Sequence, residues 1–257
     1  MSQQPRFTVS LLTCILGASV VSSYPSLIMR QEAASDDINA FIAPSEIEDS
    51  IRGPCPGLNI LANHGYIPRN GRAISSAAAI EAQMTAFNFD QASAASPIAG
   101  ALSVSTTGYS DTFNLDDLAR PGADRDGDLS RADRYFGDNI SFNQTIWSSV
   151  MQHWPDETVT FAQASEARAA RLRDAAAENP EFTQPEAAVN GSFTQLAGVL
   201  CAFGGSAVDG QARRDWINAS FVEERLPYEL GWARSAEVFT AADFAGVIAG
   251  LRAVTPA

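Results

Sequence analysis

Two segments of this chain bring together residue types that can do chemistry. The first is Arg52-Gly53-Pro54-Cys55-Pro56-Gly57-Leu58-Asn59. Pro56 has no N–H to donate and its φ is preset for a helix, so it suits the first helical position. That places Cys55 at the N-cap, with the N–H groups of Gly57 and Leu58 available to its sulfur. A helix N-terminus favours thiolate over thiol. Such a sulfur can serve as a nucleophile, a redox thiol or a soft metal ligand. On residue type alone it is equally a buried cap for a short helix, or half of a disulfide with Cys201. The second segment is Asp124-Arg125-Asp126-Gly127-Asp128, three carboxylates within five residues. Oxygen donors at that density suit a hard cation, and a solvated acidic turn is the alternative. The calcium loop of an EF-hand is excluded. That loop needs Gly at position six and Glu at twelve, whereas Gly127 is fourth and Tyr135 twelfth. With only His64 and His153 in the chain, a histidine-rich metal centre is excluded too.

The elements that must position these segments read as helices. Ser75 or Ser76 can cap a helix in which Ile80, Met84 and Phe87 recur on one face. Residues 158–178 are rich in Ala, Arg and Glu, and Asn179-Pro180 ends that run. Val189, Phe193, Leu196, Ala197 and Leu200 form the stripe of a further helix that stops at Gly204-Gly205. A last helix runs from about Ala241 to Leu251, capped by Thr240. Residues 107–131 lack periodicity and read as a long loop, the kind that is often functional. Strand-like alternation is scarce, and no repeat or low-complexity linker interrupts the chain. The expectation is one all-α domain over residues 38–250, preceded by an extension over 24–37 and followed by a tail over 251–257.

Composition bounds what the domain can meet. The 257 residues carry 17 Lys and Arg against 30 Asp and Glu, a formal charge of −13. That surplus argues against nucleic acid and anionic membranes, which need a basic face. At 46% hydrophobic and 18% charged residues, the chain is not disordered by composition. Residues 1–23 have the layout of a secretory signal peptide, with Arg6, an uncharged apolar run from Phe7 to Val21, and small residues after it. Fifteen residues are short of a bilayer span, which takes about 20. Cleavage would remove Cys14, leaving Cys55 and Cys201. Four Asn-x-Ser/Thr sequons, at Asn139, Asn143, Asn190 and Asn218, fit a glycosylated chain that is secreted or held in a secretory vesicle.

The run Pro54-Cys55-Pro56-x-Leu58-Asn59-x-Leu61-Ala62-Asn63-His64-Gly65-Tyr66-x-Pro68-Arg69 resembles the proximal-loop signature of the fungal haem-thiolate peroxidases, the chloroperoxidase and unspecific peroxygenase family. Gly137-Asp138-Asn139, followed by Phe142-Asn143, resembles that family's GDN segment. Glu224-Arg225-Leu226-Pro227-Tyr228-Glu229-Leu230-Gly231-Trp232 resembles its C-terminal ERLP…GW stretch. The resemblance implies a single-domain, chloroperoxidase-like helical fold around one haem b, with Cys55 as axial ligand to the iron. It implies a secreted monomer that uses hydrogen peroxide to oxidise or oxygenate small organic substrates. It makes His64 part of the fold, and His153 reads as a structural helix end. Cys201 has no family role. A tailoring oxidase of fungal secondary metabolism, or a catalytically weak haem-binding member, is the alternative.

On the distal side the match departs from the family pattern. The family's Glu-His-Asp-x-Ser motif aligns with Asp124, Arg125, Asp126 and Asp128. Asp124 and Asp128 are then the expected ligands, beside a haem propionate, of a magnesium or manganese ion. Arg125 stays protonated and cannot be a base, so its expected role is to position peroxide or stabilise negative charge. The family's later Glu aligns with Gln195, which cannot carry a proton. Arg125 and Gln195 are the expected distal residues, with Glu186 or a loop acid as alternatives for the proton step. Gly191, Gln195, Gly198 and Ala202 share one helix face. That face suits close approach by a flat cofactor, or close helix packing.

Overall fold

The computed structural model describes residue 1 and residues 39–256. Met1 apart, the expected signal peptide with Cys14 and the 24–37 extension lie outside the described residues. Helices form where a cap meets an apolar stripe. α1 (Pro56–Asn63) begins at Pro56, behind an extended Cys55 (φ −87°, ψ 104°), and buries every residue from Leu58 to Asn63. β1 (Ile74–Ser75) leads into α2 (Ser76–Phe87), whose N-cap hydroxyl on Ser75 accepts from the Ala78 N–H. α3 (Gln91–Ser103) is capped by Asp90 and buries Ala94, Ile98 and Ala101. No helix is expected there from sequence, because its Ala- and Ser-rich run with Pro97 inside has little apolar contrast.

β2 (Thr112–Phe113) pairs antiparallel with β1, Ile74 lying opposite Phe113. The segment expected to be a long loop, 107–131, therefore contains this strand and a 3-10 turn at Leu115–Ala119. α4 (Gln144–Gln152) is capped by Asn143. β3 (Thr158–Val159) pairs with β4 (Ala212–Arg213), so α5 (Phe161–Glu178) starts three residues later than the composition of 158–178 implies. Thr160 and Gln163 close a capping box at that point. α6 (Glu186–Gly204) ends where Gly205 turns into the left-handed region at φ 67°. α7 (Arg214–Val222) and α8 (Ala241–Ala253) complete the helices, and Thr240 with Asp243 forms the α8 capping box. With eight α-helices and four two-residue strands among the described residues, the fold is all-α.

α6 packs on α8, α8 on α5, and α2 on α3. α6 has the length and apolarity of a membrane span, yet here it is a core helix that buries Phe193, Leu196, Ala197 and Leu200. Trp147 of α4 stacks on Phe221 of α7 with ring centroids 4.5 Å apart, and meets Trp154 edge-on at 5.6 Å. Against this core, Gly53 lets the segment before Cys55 pass the 3-10 turn. A Cβ built on Gly53 would lie 2.0 Å from the Leu115 carbonyl oxygen. Since the obstacle is backbone, Gly53→Ala is expected to cost about 3 kcal/mol. Thermal denaturation should then show Tm lowered by roughly 6–12 °C. An unchanged Tm would contradict the close approach.

Candidate active site

Cys55 is held from both sides. The Asn59 side chain accepts from the Gly53 N–H at 3.0 Å and donates to the Gly53 carbonyl at 2.8 Å. The same amide donates to Glu224 Oε1 at 2.7 Å. One turn on, Asn63 donates to the Glu224 carbonyl at 2.9 Å and accepts from Arg52 Nε at 2.9 Å. His64 accepts from the Leu226 N–H through Nε2 at 3.0 Å, so the proton of the neutral ring sits on Nδ1, 2.8 Å from the Asn39 carbonyl. The spacing of Asn59, Asn63 and His64 thus has a physical reason. They are the buried face of α1 that ties the cysteine loop to the 224–226 segment, 161 or more residues away in the chain.

Burial pushes the Cys55 thiol up from its ordinary pKa. The Leu58 and Gly57 N–H groups, and then the Arg131 guanidinium, pull the other way. The sulfur makes no close capping hydrogen bond, so these N–H groups act on it as facing dipoles. Cys55 and Cys201 are both free thiols, which removes the disulfide alternative. Cys201 is fully buried, and its thiol is pushed up to about 12, first by burial and then by Asp243.

Cys55 opens onto a cavity with about 380 Å³ of empty space, its mouth included. Asp124, Arg125, Asp128 and Gln195, all expected from sequence, line the same space. Arg131 and Asn139 line it as well, and sequence reasoning gave neither a place there. Arg131 is 2% exposed. It donates to Glu224 Oε1 at 2.5 Å, Ser130 Oγ at 2.7 Å and the Ile140 carbonyl at 3.1 Å. Burial raises the Glu224 pKa, and Arg131 and Asn59 oppose that rise. Glu224 takes a left-handed backbone (φ 49°), which aims its carboxylate at these donors. An Arg next to the acidic loop and the Glu that opens the ERLP run were the available signals.

The acidic loop is tied up by its own neighbours. Asp128 Oδ1 accepts from the Ser130 N–H at 2.8 Å, the Ser130 hydroxyl at 3.1 Å and the Arg131 N–H at 3.1 Å. Asp124 accepts from Asn139 at 2.7 Å and faces Arg134 at 3.5 Å. Burial holds the Asp124 pKa above its ordinary value; the Asn139 hydrogen bond opposes this and the Asp126 charge adds to it. Asp126 turns away and accepts from the Thr183 N–H at 2.9 Å. Among the described residues no three His, Cys, Asp or Glu side chains cluster to hold a metal ion. Asp124 and Asp128 could contribute only part of a coordination shell.

Arg125 lies against the bare backbone of Gly191, where a Cβ would come within 2.5 Å of its Nε. Gly198 instead faces Phe244 of α8, with a Cβ contact of 3.8 Å. The small-residue face of α6 is therefore divided between the Arg125 guanidinium and helix packing. Gln195 is exposed at the cavity mouth, and Glu186 is exposed at the start of α6 and outside the cavity lining. His153 caps the end of α4. Of the sequon asparagines, Asn190 is exposed, whereas Asn139 is 6% exposed and its amide donates to Ala119 and Asp124. A glycan on that nitrogen does not fit the folded chain.

The family described as Peroxidase, family 2 matches residues 39–237. An aromatic peroxygenase of Coprinellus radians is 35% identical over 153 residues, 51% of this chain and 58% of the relative. The chloroperoxidase of Leptoxyphium fumago is 31% identical over 239 residues, 82% of this chain and 62% of the relative. The dothistromin biosynthesis peroxidase dotB of Dothistroma septosporum is 39% identical over 106 residues, 32% of this chain and 24% of the relative. The chain thus matches less than two thirds of the length of each of these relatives. The family match covers the cysteine loop, the acidic loop, α6 and the 224–232 segment, and the chain belongs to peroxidase family 2, the chloroperoxidase-like haem-thiolate peroxidases.

Proposed function

We propose that the chain is a secreted haem-thiolate peroxidase or peroxygenase that uses hydrogen peroxide to oxidise or oxygenate small organic substrates. The observation that carries this reading is the convergence of Cys55, Arg125 and Gln195, 140 positions apart at the extremes, on one cavity. The donor set fits a haem b. Cys55 offers a soft thiolate to iron, and the Arg125 guanidinium lining the same space suits an anionic propionate. When bound, the haem supplies peroxide activation, which thiolate ligation promotes by pushing electron density toward O–O cleavage.

The chain's own residues do the rest. The Gly57 and Leu58 N–H groups and Arg131 favour the thiolate that burial disfavours. Asn59, Asn63 and Glu224 fix its position. Arg125, with no carboxylate partner among the described residues, is a permanent cation that can hold an anionic oxygen. Neither Arg125 nor Gln195 carries a proton. The cavity's two carboxyls are Asp124 and Asp128, and Asp128 is occupied by three donors. Asp124, kept toward its neutral form by burial, is the group suited to moving a proton. A magnesium or manganese ion on Asp124 and Asp128, completed by a propionate, would instead keep Asp124 ionised. Chelation separates the two. If the ion is part of the site, removing divalent cations from the holoprotein lowers haem retention and Tm; if Asp124 is free, neither changes.

The test of function is peroxide-dependent turnover of a generic aromatic substrate by the purified holoprotein. Turnover is the expected result; its absence with haem bound favours either the catalytically weak alternative or a tailoring oxidase. A tailoring oxidase, a reading in line with dotB being named a biosynthesis peroxidase, would turn over only its own substrate. Gln195→Glu should raise turnover on the order of 10–100-fold, because it adds a second titratable carboxyl to a cavity where Asp124 is the one group suited to moving a proton. An unchanged rate would remove position 195 from the proton path. Glycans are expected at exposed Asn190 before the other sequons.

A further inference from the structure

A second cleft lies beyond the acidic loop, with about 790 Å³ of empty space including its broad mouth. Its floor is Phe193 of α6, which is 3% exposed. Two guanidiniums sit on the Phe193 ring, Arg168 of α5 with Cζ 4.1 Å from the centroid and Arg252 of α8 with Cζ 4.5 Å away. Arg168 is 6% exposed, a depth at which arginines are normally paired. Neither guanidinium has a carboxylate within 4.0 Å among the described residues, in a chain of net charge −13. Among the described residues each is held only by a neutral oxygen. Ser192 Oγ accepts from Arg168 Nε at 2.7 Å, and Asn190 Oδ1 accepts from Arg252 Nη2 at 2.6 Å. Burial lowers the Arg168 pKa, and Arg252, a second cation, lowers it further.

The walls complete the environment. Leu172 and Val189 are apolar, and Gln184 lines the rim with its buried Oε1 lacking a hydrogen-bond partner among the described residues. The Gln184 amide nitrogen donates to the Asp126 carbonyl at 3.1 Å, so this cleft backs onto the loop that lines the Cys55 cavity. The two guanidiniums repel each other across one ring, and an anion bound by both would offset that repulsion. Forked donors pair bidentately with carboxylates, and the apolar walls favour a ligand with a hydrocarbon body.

We propose that this cleft is a second ligand site, for a small organic carboxylate whose anionic end lies between Arg168 and Arg252 and whose apolar body packs along Leu172 and Val189. The site is independent of the haem reading, because none of these residues borders the Cys55 cavity. The test is calorimetric titration of the holoprotein with benzoate, benzamide and inorganic phosphate, repeated with Arg252→Gln. Binding of benzoate at least about tenfold tighter than benzamide is expected, since a hydrogen bond to a charged group contributes about 1.5–3 kcal/mol. Arg252→Gln should weaken benzoate at least about tenfold while peroxide turnover and the haem spectrum stay unchanged. Benzoate binding that survives Arg252→Gln intact, or equals that of benzamide, overturns the proposal. Phosphate bound as tightly as benzoate overturns the organic part and leaves a simple anion hole. No benzoate heat at millimolar concentration overturns the site altogether. Because Arg168 is buried and its variants can unfold, Arg252 at the exposed rim is the position to change.

Discussion

Cys55→Ala is expected to lower peroxide-dependent turnover by more than about 100-fold, since loss of a group that merely orients a metal ligand already costs 10–100-fold. The fold should survive the change. The side chains that shape the loop are Asn59, Asn63 and Glu224, and all of their hydrogen bonds bypass the sulfur. Circular dichroism of the variant should match the parent, and its thermal unfolding should stay cooperative. Loss of activity with loss of fold would assign Cys55 to structure. Retained activity would mean that the sulfur takes no part in the reaction. Either result separates the thiol's chemistry from its role as the N-cap of α1.

The second large effect lies behind the cavity. Arg131→Ala leaves Glu224 buried beside Asn59 without its ion-pair partner, with only the more distant Arg52 charge still acting on it, and breaking such a pair costs about 3–5 kcal/mol. Tm should fall by roughly 6–20 °C. The pH dependence has a definite sign. Burial raises the Glu224 pKa in the folded chain, and Arg131 is the first opposing influence, so its removal raises the pKa further. A carboxyl with a raised folded pKa binds more protons folded than unfolded, so its stabilising contribution is present at low pH and lost as pH rises. The Arg131→Ala deficit should therefore shrink on acidification, measured as ΔTm between variant and parent across the acidic range. A deficit independent of pH would mean that Glu224 is not left charged. Replacing both partners by Arg131→Met and Glu224→Leu should recover part of the loss, as apolar side chains of similar volume often do for a buried pair.

How far the sequence carries depends on the range of each interaction. Caps are local, so Ser75, Thr240 and the Gly204-Gly205 stop mark α2, α8 and α6 at the positions the structure has. α3 escapes because Ala and Ser give little contrast for a periodicity to register, and Pro97 argues against it. The strands escape because two residues cannot show an alternation. At the site, Cys55 and Asp124 to Asp128 are visible as residue types at short spacing. Arg131 and Glu224 stand 93 positions apart, and nothing in either neighbourhood announces the other. The same limit hides the Arg168–Phe193–Arg252 stack, whose three members come from three helices. The Asn139 sequon shows the converse, a correct pattern on a residue that the fold buries.

The central claim is that Cys55 provides the thiolate to a haem in this cavity. Its most direct test is the absorption spectrum of the purified holoprotein after reduction and addition of carbon monoxide. The account predicts the strongly red-shifted Soret band of thiolate-ligated haem in the parent and its loss in Cys55→Ala. A parent band at the position of histidine-ligated or unligated haem, or a red-shifted band that persists in Cys55→Ala, would contradict it.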